Sequence, residues 1–520
     1  MSPQLSYTPT LLVKKLSACC LGALLLGAMP ATVAAAEQTR PSLTGKPYSP
    51  PSDLDTSLPR DYANDLPDLG DIAQTVLTPQ DEQRIADQIM REVYISDQVL
   101  QDPEITDYLQ ALGNKLAAAS PDKRQTFSFF VVNDNSINAF AMPGGVIGVH
   151  TGLFIAANNE SELASVLGHE IGHVTQRHLA RILASQKYDT FKNIATTALA
   201  LLVARSNPQL ATGAMVTASA STLQRQLDYT REHEREADRV GLAILDNAGF
   251  DVRAMPSFFT TMQRGTRFVE GSAPSFLRTH PLTAERIADV SNRVQNLSYK
   301  QSKDSLDFYL ARAKIRAGIG LPQSAIDEFE DNIRERRFNS EAAEHYGLAY
   351  AFLRKNDVKN SALQLQWLKA NAAPHPNIET LAATIEVSNR QLAKAQEIYV
   401  QAMQKYPMHR ALVYGYADTY IDSRQPDKAI KLVNDKLRLF PKDAHFYELL
   451  AKAYTMKGQV LLKHQAQAEA YFRQYDVNRA VEQMELASKA KDGNFYERSI
   501  VEARLKELRR RQGIEKELRG

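Results

Sequence analysis

The spacing of apolar residues changes several times along the chain, and each change predicts a different kind of structure. Residues 37 to about 75 show little periodicity and are rich in Pro, Ser, Thr and Asp, which predicts an extended lead-in. From Thr78 to Leu116 apolar positions recur at helical intervals. Two runs then alternate and carry aromatic and β-branched residues, Thr126 to Val132 (TFSFFVV) and Gly145 to His150 (GVIGVH), so two strands joined through NDNSINAFAMPG are expected. Helical spacing returns from Ser161 to about Leu202, from Leu223 to Asn247, and again from Pro281. The first domain, 76–300, is therefore expected to be mainly α with a small β-sheet.

After about Ser302 the texture shifts to alanine, tyrosine, leucine and charge, and a period emerges. Ala395 and Ala429, Pro407 and Pro441, and Tyr420 and Tyr454 each lie 34 residues apart. Tyr420, Ala429 and Pro441 fall at the tetratricopeptide spacing, as do Ala395, Ala402 and Pro407 one unit earlier. A helix pair of this length cannot bury its apolar face alone, so such units stack. About four or more units over 303–512 are expected to form an α-solenoid with a concave surface. Stretches such as 341 to 375 fit more loosely, and an insertion near Gly458 to Gln474 is expected to disturb the register before Ala480.

The N-terminus changes the compartment. Lys14 and Lys15 precede an apolar run from Leu16 to Met29, and Ala34 to Ala36 offer a cleavage site before Glu37, so 1–36 reads as a cleaved secretory signal and the mature protein as periplasmic. Cys19 and Cys20 both lie in that segment, leaving the exported chain without disulfides or thiolate ligands. Cys19 lies at the start of the apolar run rather than after it, which argues against lipidation. No other segment reaches the ~20 apolar residues that span a bilayer. Ile194 to Ala204 comes nearest and is read as a buried helix or one touching a membrane surface, so peripheral membrane contact stays open. Sixty-two Lys and Arg against 60 Asp and Glu give a net charge of +2, which argues against nucleic acid as a partner.

Chemistry concentrates in VLGHEIGHVTQRHLARI, Val166 to Ile182. His169 and His173 lie four apart and share one helical face, with Glu170 one step round, the H-E-x-x-H arrangement in which zinc takes two imidazoles and the glutamate acts as general base. Ser161 and Glu162 supply cap-like residues, and apolar positions on both sides predict a buried helix. His178 points away from this face. Gln176 and Leu179 stand where the metzincin extension needs Gly and His, which excludes that class. A catalytic zinc needs a third protein ligand, and TREHEREAD, Thr230 to Asp238, offers candidates. Measured from the apolar stripe of Ala237, Gly241 and Ile244, Glu234 lies about 60° off centre, while His233, at about 40°, is not rejected by angle alone.

HEIGH, the later E-x-E-A-D and the preceding NAFAMPGG together resemble the family of HtpX and the CAAX prenyl-protein proteases, which are gluzincins. The resemblance covers roughly 80 to 300. It implies a gluzincin metalloprotease fold, one Zn2+ per chain held by His169, His173 and Glu234, catalysis by Glu170, and an accessory role for Asp238 in orienting a ligand or donating a proton. The leader, the lack of further spans and the repeat tail narrow it to periplasmic, repeat-bearing members. These imply an endopeptidase of outer-membrane protein assembly and quality control that degrades misassembled β-barrel proteins and assists assembly. The implied partners are the β-barrel assembly complex, the lipopolysaccharide transport barrel and unfolded outer-membrane proteins. Asn138 to Thr151 is read as substrate-positioning, with GVIGVH adding an extended substrate if it lies at a sheet edge and Asn138 and Gly145 close by. A plain tight turn at Gly144 and Gly145 reads equally well. In THPLTAERI, Thr279 to Ile287, His280 is either a capping contact or a fourth zinc ligand that keeps the enzyme latent, and Arg286, at family-like spacing, is read with Asn138 and Gly145 as substrate-positioning. The competing reading of the whole chain is a repeat-based chaperone with little proteolysis.

Overall fold

A computed structural model describes residues 78–95, 98–123, 125–185, 220–267 and 275–519. The expected signal, the lead-in and Ile194 to Ala204 lie outside the described residues. None of the described helices is long and apolar enough to cross a membrane.

The helical spacing expected from Thr78 to Leu116 forms two helices, α1 (Pro79–Ile95) and α2 (Pro103–Ala118). Pro103 sits at the start of α2, where its missing amide is harmless, and Asp102 caps it by accepting from the Glu104 amide at 3.0 Å. Strands β1 (Ser128–Val132), β2 (Ala139–Met142) and β3 (Val146–His150) form one sheet in the order β1-β3-β2, with β1 parallel and β2 antiparallel to β3. Alternation along the strands feeds two cores. Phe129, Val131, Ile147 and Val149 join the large core with α2, whereas Phe130, Phe140, Met142 and Val146 pack against Ile85 and Ile89 of α1. The condition for GVIGVH to add a substrate strand, a place at a sheet edge, is not met, because the strand it forms is central and wholly buried. The edge next to it is β2, which sequence reading had assigned to the connection.

The chain continues through α3 (Thr151–Ala156), α4 (Glu160–Thr175), α5 (His178–Ser185), α6 (Ala220–Asn247), α7 (Ala254–Arg267), α8 (Ser275–Thr279) and α9 (Ala284–Gln295). Helix pairs follow: α10 and α11 (Leu306–Gly318, Pro322–Glu335), α12 and α13 (Glu341–Arg354, Val358–Asn371), α14 and α15 (Pro376–Ser388, Leu392–Lys405). Then come α16 and α17 (Arg410–Asp422, Pro426–Leu437), α18 and α19 (Ala444–Met456, Val460–Arg473), and α20 and α21 (Val477–Lys489, Phe495–Arg519). First helices begin at 306, 341, 376, 410, 444 and 477, so the pitch holds throughout. The expected insertion at Gly458 to Gln474 is instead α19, the second helix of its pair. Asn356, Arg390, Arg424 and Gly458, spaced by 34, all take positive φ where the chain turns between paired helices.

The array packs back on the N-terminal half. Phe308, Ala311 and Ile315 of α10 belong to the same core as α2, α4 and α6. Buried Glu104 of α2 meets Lys314 Nζ at 2.6 Å and the Tyr346 hydroxyl at 2.6 Å. Arg410 Nε of α16 reaches Asp107 of α2 at 2.9 Å, and Tyr475 rings against Tyr94 of α1.

Candidate metal centre

Helix α4 is capped by Asn159, whose side chain accepts from the Glu162 amide, so the cap precedes the expected Ser161 and Glu162. Every residue from Glu160 to Gly172 is buried, as apolar positions on both sides predict. Helix α6 crosses α4 at backbone contact because side chains are missing there. A Cβ on Gly241 would lie 2.8 Å from the His169 nitrogen, and one on Gly172 would lie 3.0 Å from the Ala237 carbonyl. That closeness brings the carboxylates of α6 against the imidazoles of α4.

His169 Nε2 and His173 Nε2 are 3.0 Å apart, and Glu234 places one oxygen 3.4 Å from each. His280 Nδ1 lies 3.0 Å from Glu234 Oε1 and 3.3 Å from His169 Nε2. One donor atom from each of these four residues falls within 4.8 Å of the others, a group that could hold a metal ion. Three imidazoles and a carboxylate, without thiolate, make a nitrogen and oxygen donor set that suits zinc. Glu170 Oε1 and His280 Nε2 are 3.4 Å apart, buried, and without a hydrogen bond, polar atoms aimed into the cluster that an ion and its water would satisfy.

The electrostatics fit a cation. Burial would raise Glu234, but His280 and His173 beside it and hydrogen bonds from the imidazoles hold its carboxyl well below the usual range. Burial would lower His169, yet the Asp238 and Glu234 carboxylates outweigh it and push the ring up to about 10. An entering ion therefore displaces a proton. Asp238 Oδ1 lies 3.0 Å from His169 Nδ1, and Asp238 accepts from Arg286 Nε at 2.7 Å and Nη2 at 2.8 Å. Burial opposes its charge, but His169 and Arg286 keep it low, which suits orienting the ring better than donating a proton. Arg286 Nη1 also lies 2.8 Å from Glu234, so one guanidinium grips both carboxylates of α6.

Two supporting residues escaped the sequence reading. Arg177 takes φ 52° and turns the chain into α5, which swings His178 back so that its Nδ1 lies 2.9 Å from His173 Nδ1 and its Nε2 3.2 Å from Glu236 Oε2. Helical angle had placed His178 away from the site, and the missing signal is that break. His233, left open as a third ligand, stacks on His178 with centroids 4.2 Å apart and stays outside the cluster.

The substrate-positioning residues divide, and Arg286 is held on Asp238 and Glu234 instead of lining the pocket. Ala141, Met142, Pro143 and Gly144 line the metal pocket beside His173 and His280, so β2 supplies its edge. Gly145 takes φ 78°, and a Cβ there would lie 2.0 Å from the Thr126 carbonyl, which fits the tight-turn reading. Asn138 accepts from the His150 amide through its carbonyl, while its fully buried side chain has no partner. The pocket holds about 70 Å³, room for a few waters and not for a peptide.

A model of peptidase family M48 matches residues 103–294, and a tetratricopeptide-repeat model matches 386–453. The chain is 32% identical over 446 residues to the Beta-barrel assembly-enhancing protease of Yersinia pestis, covering 86% of this chain and 92% of that protein. It is 30% identical over 458 residues to the protein of that name in Escherichia coli K12, covering 87% and 93%. The Mitochondrial metalloendopeptidase OMA1 of Arabidopsis thaliana is 32% identical over 192 residues, covering 36% of each chain. These relatives are proteases, which supports the enzyme over the chaperone reading. With its catalytic and repeat parts aligned together, the chain belongs to the M48 metalloendopeptidases, in the family of the β-barrel assembly-enhancing proteases.

Proposed function

We propose a zinc endopeptidase of the bacterial periplasm that acts on unfolded or misassembled outer-membrane β-barrel proteins. The observation that carries the reading is the convergence of His169, His173 and Glu234 with the Glu170 carboxylate buried beside them. Zinc would supply Lewis acidity that polarises the scissile carbonyl and makes water acidic enough to attack near neutral pH. Glu170 takes the proton of the attacking water and returns it to the leaving amine, and its burial keeps that carboxylate free of competing solvent. Asp238 orients His169, His178 orients His173, and Arg286 fixes Glu234, so the ligand geometry is set before substrate arrives. The edge of β2 takes an extended chain by strand addition, a mode that selects unfolded segments.

His280 occupies the remaining corner and leaves no space for substrate, which makes this arrangement latent. The leader at 1–36 supports export, and likeness to the β-barrel assembly-enhancing proteases supports the assembly complex and the lipopolysaccharide transport barrel as partners of the repeat array. The test is Glu170→Gln. Zinc content should stay at one per chain while peptide hydrolysis falls by roughly 10²–10⁴-fold; hydrolysis at the parent rate would remove Glu170 from this role.

A further inference from the structure

Outside the metal pocket the structure contains a second, larger cleft of about 690 Å³ between α1 and the far end of the repeat array. Its wall carries six cations, Arg84, Arg91, Lys442, Arg473, Arg510 and Arg511, against two carboxylates, Asp87 and Glu515. The whole chain is near charge balance, so this excess is local. Some of these cations are already engaged: Arg84 pairs with Asp81, and Arg473 with Glu469 and the Tyr447 hydroxyl. Arg91, Lys442 and Arg510, from three separate elements, make no ion pair among the described residues, and Arg91 Nε is buried without a hydrogen-bond partner. Leaving a guanidinium nitrogen buried and unsatisfied is costly unless a ligand completes it. Burial raises Asp87 and Glu515 from the ordinary carboxylate value, while Arg511 beside both and Arg91 beside Glu515 pull the other way.

Apolar surface is interleaved with the charge. Phe472 lies under Arg504 and Arg511, at 4.5 and 5.0 Å from ring centroid to guanidinium, and Ile514 and Tyr475 also face the cleft. Cations spread over three elements and separated by apolar side chains match several spaced carboxylates with apolar residues between them better than one compact phosphate. The position matters too. Glu82 of α1 lines the metal pocket, while the next residues, Gln83 and Arg84, line the cleft, so one helix separates the two sites.

We propose that this cleft is an exosite that binds an acidic, apolar-interrupted segment of the polypeptide substrate while a neighbouring segment reaches the metal pocket. The inference rests on the endopeptidase reading for its substrate class, and its test does not require catalysis. A fluorescein-labelled octapeptide of Asp, Glu, Phe and Leu is titrated by anisotropy with the full chain carrying Glu170→Gln. Binding is expected, weakening steeply with salt, and a basic peptide of equal length should not compete. Lys442 and Arg510 are exposed, so the double change Lys442→Glu with Arg510→Glu keeps the fold. It should raise Kd about tenfold or more, while Lys442→Arg with Arg510→Lys should stay close to the parent. With Glu170 intact, the reversal variant should cleave a short neutral peptide at the parent rate. Absence of cleavage in every version, including one that also carries His280→Ala, would count against the endopeptidase reading and leave the binding result standing. Failure of the acidic peptide to bind, or equal Kd in the reversal variant, overturns the exosite. So does binding of phosphatidylglycerol vesicles, but not peptide, through the same cations.

Discussion

His280 touches both halves of the catalytic chemistry: its Nδ1 sits on Glu234 and its Nε2 faces Glu170 at 3.4 Å. Removing it frees the fourth position and the general base together. His280→Ala should therefore keep zinc and raise the peptidase rate on a short peptide, because the latent arrangement no longer withholds the fourth position and the base; an unchanged or lower rate with zinc retained would assign His280 a structural contact only. At this scale the sequence disclosed residues whose spacing is itself chemical. His169, Glu170 and His173 follow from one helical face, while geometry left Glu234 and His233 open and the family resemblance chose. The roles of the supports were hidden because they arise from tertiary folding. His178 needs the left-handed turn at Arg177, and Arg286 spans 48 residues to reach Asp238.

The crossing of α4 and α6 is the element that fixes the ligand distances. Gly241→Val would push a side chain into the His169 backbone, 2.8 Å from the Cβ position, and α6 would have to move away. The expected cost is about 1–3 kcal/mol of stability, with a larger loss in zinc affinity than in melting temperature, since Glu234 and Asp238 move with the helix. Equilibrium metal titration beside thermal unfolding separates the two; a stable variant with parent zinc affinity would show that the close crossing is dispensable. Periodicity located the helices and two of the strands here. It missed β2 because AFAM is four residues long between Asn138 and Pro143, too short to display alternation. It misplaced the substrate edge because strand order depends on pairing, which no single strand reveals. The register break imagined near Gly458 arose from loose matching to the repeat pattern, whereas the turn residues keep their spacing of 34.

For the whole molecule, the catalytic and repeat parts are not independent folding units. Phe308, fully buried in the catalytic core, belongs to the first repeat helix, and Glu160 at the start of the metal helix accepts from the Ser305 amide and hydroxyl at 2.8 and 2.7 Å. A chain ending at 302 should be insoluble or molten, since loss of a buried phenylalanine alone costs roughly 3–5 kcal/mol. A chain ending at 320, which keeps α10, should recover helical content by circular dichroism and bind zinc. Equal behaviour of the two truncations would mean α10 is peripheral. The sequence showed two textures and a boundary near Ser302, but not this shared core, because the contacts join residues as far apart as Asp107 and Arg410.

The most direct measurement is metal content and ligand identity in the purified full chain, by elemental analysis and zinc X-ray absorption, for the parent and Glu234→Ala. The account predicts one zinc per chain in a shell of nitrogen and oxygen, falling well below stoichiometry in the variant. A parent without stoichiometric zinc, or a variant that binds it as tightly as the parent, would contradict the proposed centre.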